Sequence, residues 1–127
     1  MTDRLTRGEA IRRQVMGDAH VDRSLNKVSD FDRDLQRYVM ESAWGSVWDR
    51  DSAVLPRKTR SLMTLSMLIA LRATEELKGH VRGAINNGCS EAEIREVILH
   101  SAAYCGCPAA LAASRAAAEV LAELKSA

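Results

Sequence analysis

The chain has 127 residues, enough for one domain (1–127) with a single buried core that needs neither disulfides nor a metal to hold it. Its 18 basic and 17 acidic side chains nearly cancel, and no basic stripe with interleaved aromatics is present, which argues against nucleic acid as a partner. One Phe, two Tyr and two Trp in a composition rich in Ala, Leu, Arg and Glu make a β-sandwich or barrel improbable and an all-α fold the expectation.

The first 13 residues are mixed in charge with no apolar run, so no signal peptide is expected there. The longest apolar stretch, residues 62–71, is broken by Thr64 and Ser66 and is too short to span a bilayer. Three cysteines, an odd number, argue against a secreted disulfide framework, so a cytoplasmic location is expected.

About six helices are predicted. Residues 4–16, with Leu5, Ile11 and Val15 among many charges, read as a surface helix ended by Gly17. Residues 18–28 show no strong period and are predicted to be a loop. Ser29 is placed to cap a second helix, where Phe31, Leu35, Tyr38 and Val39 follow a 3.6-residue period that Val47 and Trp48 extend. Gly45 inside that helix signals a close backbone approach.

Pro56 suits the start of a third helix, apolar on most sides through Leu71 and therefore central. Its first turn carries Arg57, Lys58 and Arg60, the wrong sign for the positive end of a helix dipole unless an anion or acidic neighbour lies close. Thr74 is placed to cap a fourth helix with a Leu77–Val81–Ala84–Ile85 stripe, stopped by Asn86-Asn87-Gly88. Ser90 and Glu93 form a capping box for a fifth helix, whose buried stripe is Ile94, Val97, Ile98 and Ala102. Gly106 and Pro108 end it, and an Ala-rich sixth helix covers residues 109–125. Several helices offer two apolar faces, which points to burial in an oligomer as well as in a core. No strand, hairpin or internal repeat is predicted.

Among residues that carry chemistry, His80 stands out. It lies one turn after Glu76 and two turns before Asn87, so the three project from one side of the fourth helix. A carboxylate one turn away orients an imidazole and raises its basicity; an ordinary surface Glu–His pair has the same spacing. His100 and Tyr104 sit one turn apart on the fifth helix, facing either a pocket or a packed surface. Arg57, Arg60, Arg72 and Arg82 are candidate anion binders, Arg60 and Arg82 foremost, because a substrate with two carboxylates wants two such partners. Cys105-Gly106-Cys107 invites a redox reading, but C-x-C is not the C-x-x-C of thioredoxin-like sites, and buried, inert thiols are the commoner outcome. The scattered His and Cys do not make a zinc site, and no phosphate loop, nucleophile elbow or dinucleotide fingerprint occurs.

The run Glu75-Glu76-Leu77-Lys78-Gly79-His80-Val81-Arg82-Gly83-Ala84-Ile85-Asn86-Asn87-Gly88 resembles the signature of the carboxymuconolactone decarboxylase family, part of the alkyl hydroperoxidase D-like superfamily. Residues 93–100 and Tyr104-Cys105-Gly106-Cys107-Pro108-Ala109-Ala110 continue it. Arg7-Gly8, residues 15–21, Asp30-Phe31, Ala43-Trp44-Gly45-Ser46-Val47-Trp48 and Thr59-Arg60-Ser61-Leu62 resemble the family's decarboxylases of protocatechuate breakdown.

The resemblance implies an all-α bundle that assembles as a ring-shaped homo-oligomer, a hexamer or else a trimer. It implies decarboxylation of 4-carboxymuconolactone to the enol-lactone of 3-oxoadipate in the protocatechuate branch of the β-ketoadipate pathway. It implies no metal and no organic cofactor. The roles assigned on it are His80 as the acid, oriented by Glu76; Arg60 and Arg82 on the substrate's carboxylates; and Asn87 or Tyr104 as donor to the developing oxyanion. The alternatives are a thiol peroxidase or disulfide reductase using Cys105 and Cys107, and a decarboxylase with a drifted substrate. In peroxidase-type relatives a C-x-x-C pair lies on the His80 helix, where this chain has Ala73 and Glu76. Arg72, Cys107 and Leu111 also depart from the decarboxylase pattern.

Overall fold

In a computed structural model the described residues, Asp3 to Ser126, hold seven α-helices, one π-helical segment and no strand. Met1, Thr2 and Ala127 lie outside the described residues. The chain divides at Pro56 and Arg57 into two compact units. Among the described residues, no helix is long and apolar enough to cross a membrane.

The first unit contains α1 (Asp3–Met16), α2 (Asp18–Asn26), α3 (Arg33–Val39) and a π-helix (Met40–Val47). Gly17, at φ 89°, separates α1 from α2. Residues 18–28, expected to be a loop, are mostly helix: Val21 is fully buried and Leu25 packs one turn on. Two apolar residues among charges are a faint signal. The Arg13 guanidinium strengthens the helix by bridging Asp18 at 3.1 Å and Asp22 at 2.9 Å.

The predicted second helix begins three residues late and changes pitch. Ser29 is not its cap; instead the Asp32 carboxylate accepts from the Ser29 backbone N–H at 2.8 Å. From Met40 the backbone widens, and Trp48 N–H donates to the Ala43 carbonyl five residues back. The wider turn nearly realigns residues four apart, so Met40, Trp44 and Trp48 share the buried face. The two indoles stack with centroids 5.3 Å apart. Of the 3.6-period stripe read from the sequence only Trp48 is buried, and the rest faces outward in this chain: Phe31 is 99% exposed and Tyr38 67%.

Gly45 does mark a close approach. A Cβ there would stand 2.3 Å from the Arg4 carbonyl oxygen, and one on Gly8 would stand 2.1 Å from that of Met40. Backbone thus meets backbone where α1 crosses the π-helix. Gly8→Ala is expected to destabilise this unit by about 3 kcal/mol, since a backbone carbonyl must move. Gly88→Ala, where a Cβ meets nothing and only the φ of 91° is strained, should cost about 1–2 kcal/mol. Denaturant titration followed by fluorescence of Trp44 and Trp48 checks the first value and circular dichroism the second; equal losses would contradict the crossing.

The second unit contains α4 (Arg57–Leu71), α5 (Thr74–Asn86), α6 (Glu91–Cys105) and α7 (Cys107–Ser126). Its core joins Leu65 and Ile69 of α4, Leu77, Val81 and Ala84 of α5, Ile94 of α6, and the α7 stripe Ala109, Ala113, Ala116, Ala117 and Val120. Alanines on that stripe let α7 lie close to α5 and α6. α4, expected to be central, buries one face, Ser61, Leu65 and Ile69, against the other helices and leaves Met63, Met67 and Leu71 exposed. The capping box is formed: Ser90 Oγ accepts from Glu93 N–H at 3.0 Å, and Ser90 N–H donates to the Glu93 carboxylate at 2.8 Å. Thr74 does not cap α5; Ala73 holds the cap position, after Arg72 at φ 58°. Gly88 and Gly106, both at positive φ, end α5 and α6. Pro108 lies inside the first turn of α7, where its missing N–H costs nothing, so α7 begins two residues earlier than predicted.

Candidate functional site

All the predicted site residues fall in the second unit. The α5 stripe of Leu77, Val81 and Ala84 is buried, which sets His80 and Asn87 half-buried along its rim and Glu76 exposed one turn before His80.

Asn87 is anchored. Its Nδ2 donates to Ser61 Oγ at 2.9 Å, and Ser61 is a buried residue in the second turn of α4. Two further ties join the same corner: the Cys89 thiol donates to the Lys58 carbonyl at 3.4 Å, and Lys58 Nζ pairs with Glu93 at 3.0 Å. The Ser90 backbone N–H, and then Lys58, hold the Glu93 carboxyl below its ordinary range. The start of α4, the end of α5 and the start of α6 therefore meet at one point. Arg60, half-buried, is the residue before Ser61 in α4.

His80 is seven residues from Asn87, about 10 Å along the helix axis on the same side. Asn87 and His80 therefore lie on one side of α5, and Arg60 precedes in α4 the Ser61 hydroxyl that Asn87 meets.

Two predicted residues are not brought to that side. Arg82 is two positions from His80, roughly 200° around α5. Its guanidinium turns to α7 and meets Glu123 at 3.4 Å. Tyr104 is 81% exposed near the end of α6, eleven residues or about 16 Å along that helix from Glu93. Its ring lies 5.1 Å from that of His100. His100, with Leu62, Met63, Ser66, Glu96 and Val97, lines an open groove of about 600 Å³ between α4 and α6. His80, Arg60 and Asn87 do not line that groove.

Ser61 escaped the sequence reading as a site residue. Its signal was positional: Ser61, Leu65 and Ile69 repeat every four residues, so a hydroxyl stands where the stripe calls for an apolar side chain.

The cysteines reverse one expectation. Cys105, last residue of α6, and Cys107, first of α7, are exposed and unbonded, while Cys89 is buried. Burial, and then the negative charge of Glu93, push the Cys89 thiol up. Thiol titration at neutral pH should therefore show two fast equivalents and one slow one that becomes fast on unfolding. Three fast equivalents would contradict the burial of Cys89. No group of three or more His, Cys, Asp or Glu suited to a metal occurs among the described residues.

The sequence profile of the carboxymuconolactone decarboxylase family matches residues 33–119, which run from the first unit through most of the second. The chain belongs to that family. It is 44% identical over 121 residues to a 4-carboxymuconolactone decarboxylase of Acinetobacter baylyi, covering 95% of this chain and 89% of that one. It is 46% identical over 106 residues to the nitrosuccinic acid decarboxylase npaB of Metarhizium robertsii, covering 84% of this chain and 73% of that one. A 38-residue match at 47% identity links it to a 4-carboxymuconolactone decarboxylase of Pseudomonas putida, covering 30% and 79% of the two chains.

Proposed function

We propose that residues 1–127 act as one functional domain, a decarboxylase that converts 4-carboxymuconolactone to the enol-lactone of 3-oxoadipate and CO2. The observation that carries this is 44% identity across 95% of the chain to a decarboxylase of that name.

The chemistry fits the residues. The departing carboxylate sits on the ring carbon bearing the lactone oxygen, and that carbon is conjugated through the ring double bond to the lactone carbonyl. When the C–C bond breaks, its electron pair moves into the carbonyl as a dienolate and CO2 leaves. A proton then returns to the carbon next to the carbonyl. His80, oriented by Glu76, supplies that proton and recovers one from water.

Nitrosuccinic acid, the substrate named for the Metarhizium relative, follows the same logic. Its nitro group receives the electron pair as a nitronate. In both molecules the carbon losing CO2 also carries a CH2–COO⁻ arm. The substrate class is therefore a succinate skeleton with an electron sink on the reacting carbon. Arg60 and Asn87 grip the unreactive carboxylate, and His80 lies about 10 Å along the edge, near the sink. This assigns Asn87 to a carboxylate rather than to the oxyanion.

In the basic first turn of α4, Glu93 answers Lys58, and Arg60 is the cation assigned to a substrate anion at this end. Arg82, paired with Glu123, serves a substrate carboxylate only if that pair opens or the site is shared between copies. The exposed Phe31, Leu35 and Tyr38 support a homo-oligomer, for which a ring-shaped hexamer is the proposed form, in the cytoplasm. The thiol-peroxidase reading is not favoured, because the helix carrying His80 has Ala73 and Glu76 where that chemistry needs cysteines.

A competition assay with equimolar lactone and nitrosuccinic acid tests the substrate assignment. Preferential consumption of the lactone supports it; preference for the nitro acid would move the chain to that activity, and consumption of neither would overturn the reading.

A further inference from the structure

Of the polar residues among the described ones, Ser61 and Ser101 are the two whose side chains are buried. Ser101 has a local explanation, since its hydroxyl donates to the Val97 carbonyl one turn back at 2.7 Å. Ser61 reaches instead to another helix and receives the Asn87 carboxamide. Its position in the Ser61–Leu65–Ile69 stripe would suit an apolar side chain, so the hydroxyl costs packing at a site where burial normally stabilises.

Asn87 sits at the C-cap of α5, with the positive-φ Gly88 following. A carboxamide at a helix end has two rotatable χ angles to fix. One hydrogen bond to a buried, immobile hydroxyl removes that freedom. One Nδ2 N–H is committed to Ser61, which leaves the second to donate elsewhere.

We propose that Ser61 is a positioning residue: it holds the Asn87 carboxamide so that its remaining N–H and the Arg60 guanidinium together meet the carboxylate of the substrate's CH2–COO⁻ arm. This rests on the decarboxylase reading above. Ser61 itself does not touch substrate. Because the arm does not react, its carboxylate is bound equally in the ground and transition states, so the contribution appears in KM rather than kcat.

The test is a double-mutant cycle read in KM for 4-carboxymuconolactone. Ser61→Ala should raise KM about fivefold, with kcat within twofold of the parent chain. Ser61→Cys, close in volume and a poor acceptor, should do the same and excludes an effect of the small cavity. In an Asn87→Ala background neither substitution should raise KM further. Thermal unfolding confirms that each variant is folded. Equal KM increases with and without Asn87, or a loss confined to kcat, would overturn the positioning role while leaving the decarboxylase reading intact. A parent chain that leaves the lactone unconsumed overturns both.

Discussion

Replacing His80 with Gln should lower kcat for lactone decarboxylation by about 10²–10⁴-fold, the usual contribution of a positioned general acid. Gln keeps much of the size and hydrogen-bonding capacity of the imidazole but has no proton to give at neutral pH. The loss of CO2 leaves a dienolate that must be protonated at carbon, and without a donor it recaptures CO2 or waits for water. KM should change little, because His80 acts at the sink end and the carboxylate grip lies two turns away. His80 is half-buried on the rim of α5, outside the Leu77–Val81–Ala84 core, so the unfolding temperature should fall only slightly. Steady-state kinetics with a thermal melt on the same preparation measures both. A kcat within threefold of the parent value removes His80 as the acid. Glu76→Gln should show a smaller loss, because Glu76 works through the imidazole.

Replacing Arg60 with Met should lower kcat/KM by roughly 30- to 100-fold, with most of the loss in KM. A charge-assisted hydrogen bond to a carboxylate is worth about 2–3 kcal/mol, and Met keeps the aliphatic stem. Arg60→Lys should recover part of the loss, since it restores the charge but not the planar fork. Nearby Lys58 cannot substitute, because it is paired with Glu93. Initial rates at varied lactone concentration separate the two parameters. A loss confined to kcat would place Arg60 at the reacting carboxylate instead, and an unchanged kcat/KM would remove it from the site.

These roles depend on features that differed in how far the sequence disclosed them. The second unit was almost fully legible. Its helices have strong 3.6-residue stripes, and its punctuation is chemical: Asn87-Gly88, the Ser90–Glu93 box and Gly106 each fix a backbone conformation. The first unit was less so. In α2 the buried face is only Val21 and Leu25, and the helix is held by Arg13 reaching from α1, a contact that no local pattern encodes. The π-helix breaks the assumption of constant pitch. Met40 and Trp44 lay outside the stripe read from the sequence, yet with Trp48 they form the buried face.

The candidate site was legible as residue types and half legible as geometry. The Glu76–His80–Asn87 edge followed from helical spacing and stands in the fold. The same spacing already put Arg82 across the helix from His80, and pairing with Glu123 on α7 completes that separation. Tyr104 was drawn in by its place in the family motif, but α6 carries it away from the Asn87 corner to lie tilted beside His100. Ser61 was hidden because a serine in an apolar helix is unremarkable until its partner, 26 residues on, is known.

The central claim is that this chain removes CO2 from 4-carboxymuconolactone using its own side chains. The most direct measurement follows the lactone's ultraviolet absorbance while released CO2 is counted, with purified chain in buffer alone. Loss of absorbance with one CO2 released per lactone consumed is the expected result. Unchanged absorbance with no CO2 from freshly prepared lactone would contradict it.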